Sequence, residues 1–174
     1  DIVQLALRFR ADPKAKGRAG RYGTVLGAFA NGISSNSVEI VNALLQAGAD
    51  PNQISHRTRP VWIAISTLKL DGETNYIDGQ ATAIFHALMT AGADINLPDD
   101  QGVPPAWLLL FPHRGDHEKL DASFVTPALL DMLVRNGLDL NAERKGKRML
   151  GLVEAQAGKD SQLAQTLRRL GAKH

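Results

Sequence analysis

Apolar positions recur along this chain with a helical beat that glycine interrupts at intervals. Between Glu39 and Asn52, Ile40, Val41, Leu44 and Leu45 fall at i, i+1, i+4 and i+5, which places them on one face of a helix. Gly48 follows the last apolar turn, where a helix needs a left-handed capping residue. Asp50, Pro51 and Asn52 then turn the chain away, because Pro51 cannot continue a helix. The pattern returns at Ile84–Asn96 and Leu129–Asn141, and in weaker form at Leu163–Ala172. A further copy opens the chain at Ile2–Pro13, with Arg10 where the others carry glycine. Repetition at this spacing predicts a solenoid, each repeat burying its apolar face against its neighbours.

A shorter apolar stretch precedes each later copy, at Thr24–Ala30, Arg59–Ile65, Pro104–Leu110 and Arg148–Val153. Pro60 and Pro105 suit a first helical position, where the missing N–H is no loss. Together these residues resemble the ankyrin repeat family, whose repeats close on a Glu-Ile-Val-x-x-Leu-Leu-x-x-Gly-Ala-Asp-x-Asn helix and open on Thr-Pro-Leu-His-x-Ala-Ala. The opening half is degraded here, and the family's histidine is absent from all four copies. The resemblance covers nearly the whole chain and implies an all-α ankyrin-repeat solenoid with hairpin-like finger loops. Residues 1–174 are expected to form a single domain: a partial repeat at about 1–12, repeats at 13–50, 51–94 and 95–139, and a cap at 140–174.

The chain begins inside a repeat, so residues upstream, or some other cover for that end, are expected. At the far end Arg168 replaces the aliphatic found at Leu45, Met89 and Val134, and Gln162, Gln165 and Thr166 are polar, as fits a capping helix and a genuine C-terminus. With 174 residues the chain is long enough to bury a continuous core. Its longest wholly apolar run, Ala106–Phe111, is six residues, far short of a membrane span. The absence of cysteine excludes disulfides, thiol catalysis and zinc–thiolate sites, and leaves the compartment open.

The Asp12–Asp50, Asp50–Asp94 and Asp94–Asp139 intervals are 38, 44 and 45 residues, whereas the family repeats every 33 or so. Most of the excess falls between the two helices of a repeat, at 67–80 and 111–125, as paired long loops or as longer helices. Within the second insert, His113 and His117 with Asp116 or Glu118 are the nearest thing to a metal-ligand set. Pro112 and Gly115 argue for a loop there, so no metal and no cofactor is expected. Trp62 and Trp107 occupy the same place in successive repeats, as packing in the space of the missing histidine or as an aromatic anchor for a partner. Gly27 and Gly151 hold the equivalent place in the flanking repeats, which should pack differently there.

Charge sorts unevenly among the fingers. Pro13–Gly23 carries +4, Pro51–Arg59 +2, Ile95–Pro104 −2 and Leu140–Arg148 +3, which sums to +7 on a chain of net +2 and leaves −5 for everything else. Gly17, Gly20 and Gly23 in the first finger fit neither a P-loop nor a dinucleotide fingerprint, and read as a flexible basic tip. No nucleophile elbow, His-Glu-x-x-His or Walker loop is present, so catalysis is not expected.

The resemblance implies a protein-binding module read out through its fingers and concave face. The residues expected to meet the partner are Lys16, Arg18, Arg21, Tyr22, His56, Arg57, Arg59, Asp99, Asp100, Arg144, Lys145 and Arg148. The partner expected is another protein with an acidic patch, the chain being otherwise a monomer. The degraded motif is similar to small bacterial ankyrin proteins, some of which act as immunity or inhibitor partners of a toxin or enzyme. Two alternatives stand beside this: an arm of a larger scaffold, and a basic-fingered nucleic-acid binder, which a net charge of +2 does little to favour.

Overall fold

The turn that ends each repeated helix sets the course of the chain beyond it. The structure is a computed structural model and describes residues 2–16, 23–32, 35–55, 57–68, 79–111 and 119–174. Among these it holds nine helices: α1 (Ile2–Arg8), α2 (Val25–Phe29), α3 (Ser37–Gln46), α4 (Pro60–Thr67), α5 (Gly79–Thr90), α6 (Pro105–Leu110), α7 (Pro127–Arg135), α8 (Met149–Ala157) and α9 (Gln162–Arg169). Only isolated β-bridges accompany them among the described residues. The fold is an all-α repeat solenoid.

Gly48, Gly92, Gly137 and Gly171 take φ of 92°, 88°, 93° and 93° just past α3, α5, α7 and α9. At each, the next amide returns to a carbonyl five residues back, as Ala49 N does to Leu44 O at 2.9 Å, so the last turn is closed. Arg10 enters the same region at φ 62°, and Ala11 N reaches Ala6 O at 3.0 Å, so the glycine-less copy makes the same cap. The Asp-x-Asn that follows is an Asx turn three times over. Asp50, Asp94 and Asp139 each accept from the amide of Asn52, Asn96 and Asn141 at 2.8 Å.

Two compact units result, Asp1–Asp100 and Gln101–His174. In the first, α2 packs on α3 and α4 on α5 as helix pairs, while α3 packs on α5 and α2 on α4 from one repeat to the next. Leu26, Ile40, Val41, Leu44, Val61, Ile65, Ile84, Phe85 and Leu88 fill its core. Leu5 on α1 and Phe9 just past its end are exposed. In the second unit α8 packs on α9, and Trp107, Leu110, Leu129, Leu130, Leu133, Met149, Val153 and Leu167 are buried.

Both tryptophans are structural. Trp62 and Trp107 are 7% and 0% exposed, so neither is an anchor presented to solvent. Each instead donates its indole N–H to a backbone carbonyl of the following finger, Trp62 to Ile95 at 3.0 Å and Trp107 to Ala142 at 2.8 Å. At the equivalent Gly27 a Cβ would stand 2.0 Å from the Ser55 hydroxyl, which lies there instead and accepts from the Thr24 amide at 3.0 Å. Gly151, by contrast, has open space around it.

Of the two inserts, 69–78 and 112–118 lie outside the described residues, and with them the histidine pair of the second. The described part of the second, 111 and 119–125, is loop, tied down by Asp121 N to Leu110 O at 2.9 Å and Leu120 N to the Gln156 side chain at 2.8 Å. Following the first insert, α5 has 12 residues where α3 has 10, so part of that excess becomes helix.

Candidate functional site

The fingers begin where the Asx turns leave off, and the second and fourth are true two-residue hairpins. Ser55 and Thr58 exchange both backbone hydrogen bonds, at 2.8 and 3.0 Å, and Arg144 and Lys147 do the same at 3.0 Å each. So short a connection requires positive φ at its tip. Lys145 and Gly146 supply it with 50° and 69°, and Arg57 has 71°. In the first finger Lys16 bridges Thr24 and is exposed. Arg18, Arg21, Tyr22 and His56 lie outside the described residues.

In the first unit the structure brings together Arg57, Arg59 and Asp100, with the buried Asp99 beside them. Arg57 Nε lies 3.1 Å from Asp100 Oδ2, and the Asp100 amide donates to Arg57 O at 3.1 Å, so the second finger is tied to the third. Arg59 is half-buried and serves as a brace: its Nε donates to Pro98 O at 3.2 Å, and its second nitrogen donates to Asn52 O. The acidic finger thus answers part of the basic charge beside it.

In the second unit Arg144, Lys145, Lys147 and Arg148 share one finger. The Arg144 guanidinium sits 5.9 Å from the centre of the Trp107 ring, a cation–π contact that holds the base of the finger. Arg148 donates to Glu143 at 3.2 Å and to His174 O at 2.9 Å. Lys145 and Lys147 extend the tip and are exposed.

Sequence reasoning passed over the residues that hold the fingers in line. Asn52 donates from Nδ2 to Gly92 O at 2.9 Å and accepts from Asp94 N at 2.8 Å, one repeat onward. Asn141 does the same to Gly171 O at 3.1 Å and Lys173 N at 2.7 Å. The signal was present as an asparagine at the same place in three copies, Asn52, Asn96 and Asn141. Among the described residues no group of three acidic or histidine side chains is placed to hold a metal, and no helix is long and apolar enough to cross a membrane.

Paired helices stacked repeat on repeat, with hairpins between successive repeats, define a helical repeat protein. The ankyrin repeat model matches residues 26–56, which run from α2 through α3 into the second finger. That match and the all-α repeat solenoid around it support an ankyrin repeat protein. Ankyrin repeats are generally protein-interaction modules and typically non-catalytic. No curated protein matches the chain.

Proposed function

We propose that this protein is a non-catalytic module that captures an acidic surface of another protein along its finger edge, and that by holding that surface it acts as an inhibitor or immunity partner of a toxin or enzyme. The observation that carries this reading is Lys145 at φ 50°. An L residue in that region costs roughly 1–2 kcal/mol, which glycine avoids and asparagine reduces. The chain nevertheless keeps a cation there, and repeats the choice with Arg57 at φ 71°. A backbone position held against its preference points to use rather than to folding. The uneven charge, +7 in the fingers against −5 elsewhere, supports an acidic partner drawn in by electrostatic steering. Unequal repeats support one dedicated partner over a general scaffold.

The test avoids Arg59 and Arg148, whose hydrogen bonds brace the fingers themselves. Lys145→Asn should leave the fold as stable or more stable by up to about 1 kcal/mol in urea unfolding, and should weaken the partner. Affinity purification from the source cell with the wild-type chain should retain one stoichiometric protein. A chain carrying Lys145→Glu and Lys147→Glu should lose it. Retention of bulk nucleic acid by the wild type, or of the same protein by both chains, overturns the reading.

A further inference from the structure

The second and fourth fingers are built on the same two-residue turn but fill its second position differently. In the fourth finger that residue is Gly146, at φ 69°, where a side chain is costly. The second finger sets Arg57 in the same place, at φ 71°. The Arg57 side chain is not needed to join the second finger to the third. Asp100 N donates to Arg57 O at 3.1 Å, a bond that any residue at 57 accepts, and Arg59 Nε donates to Pro98 O at 3.2 Å. What the side chain adds is one ion pair, from Nε to Asp100 Oδ2 at 3.1 Å, between side chains 60% and 31% exposed. An ion pair so open to water contributes little to folding. A cation is thus kept on backbone that suits glycine, for a contact that hardly stabilises the fold. The carboxylate it meets is held in place by hydrogen bonds of its own segment.

We infer that Asp100 is a built-in competitor for Arg57: it occupies this cation in the free protein, and an acidic segment of the partner engages the second finger by displacing it. The inference rests on the reading of the protein as a binder of acidic surfaces and names the residue that regulates that binding. Asp100 takes the Nε side of a guanidinium that stays largely open to solvent. An incoming carboxylate therefore meets attraction from Arg57 and repulsion from Asp100 at nearly the same range. A lone carboxylate exchanges one ion pair for an equal one and loses its own freedom of motion. A segment already anchored through its other charges makes the same exchange at high effective concentration. Asp100 thus sets a threshold, so that Arg57 answers to a run of carboxylates and not to a single one.

The probe is an acetylated, amidated hexaglutamate, titrated into the full chain while the Arg57 Nε–H signal is followed by NMR. It should bind and move that signal, whereas acetate at equal total carboxylate should leave the signal where it is. Asp100→Asn keeps the amide that donates to Arg57 O and removes only the charge. It should tighten hexaglutamate about threefold or more, with thermal unfolding unchanged. Glu39→Gln, an equal charge change on the exposed first turn of α3, should alter affinity by less than about 1.5-fold. Arg57→Gly, which suits the backbone at 57, should weaken the peptide, and adding Asp100→Asn to it should bring no more than Glu39→Gln does. Binding by Asp100→Asn that is unchanged or weaker, or a gain equal to that of Glu39→Gln or equal with and without Arg57, would overturn the competitor and leave the finger edge standing. Failure of both the wild type and Asp100→Asn to bind hexaglutamate would overturn both.

Discussion

Adding a single methyl group at Gly27 would drive it to 2.0 Å from Ser55 Oγ and 2.4 Å from Ser55 Cβ. Ser55 is fully buried and its hydroxyl accepts from Thr24 N, so it has little room to yield. We therefore expect Gly27→Ala to cost about 1–3 kcal/mol, read as a lower urea midpoint at unchanged slope. Gly27→Ala with Ser55→Gly should recover part of that loss but not all, since the Thr24 amide then loses its acceptor. At this scale the sequence was legible wherever a residue acts on its own neighbours. Gly48 as a cap and Pro60 as a helix start follow from local backbone chemistry. The reason for glycine at 27, and the tie made by Asn52, involve atoms 28 and about 40 residues away, and periodicity along the chain carries no trace of them.

Helices and fingers divide along the same line. The second helix of each repeat was legible because its apolar face repeats every three to four residues and ends on glycine or, once, on Arg10. First helices were legible through Pro60 and Pro105. The segments between paired helices were not, having no period to read, and the twelve-residue length of α5 had no counterpart in the motif. Nor did the fingers show from sequence which of their cations are exposed at the tip and which hold the finger in place. Trp107 sits at that joint. It carries Arg144 on its ring and donates to Ala142 at the base of the same finger. Trp107→Phe keeps an aromatic face but removes the N–H and leaves the Ala142 carbonyl without that donor. The expected loss is about 1–2 kcal/mol, together with faster amide exchange at Arg144 and Lys147 than elsewhere in the second unit.

Over the molecule as a whole the net charge of +2 conceals an arrangement in which the fingers are strongly positive and the remainder negative. A protein so divided should bind an acidic partner at a rate set by ionic strength. Raising salt from roughly 50 to 500 mM should slow association about tenfold or more while leaving dissociation within a fewfold, measurable by stopped flow or surface resonance. The loop-edge inserts should contribute little to that dependence, since the fingers hold the excess charge.

The paired ties made by Asn52 and Asn141 carry a consequence of another kind. One closes across 40 residues and the other across 30, yet both make the same two hydrogen bonds. The two spans differ by ten residues, seven of them in the connection between paired helices, and the ties do not register the difference. Foreign peptides spliced into that segment should ride on the protein as cargo, and a lineage could rewrite it while the hairpins kept both ties.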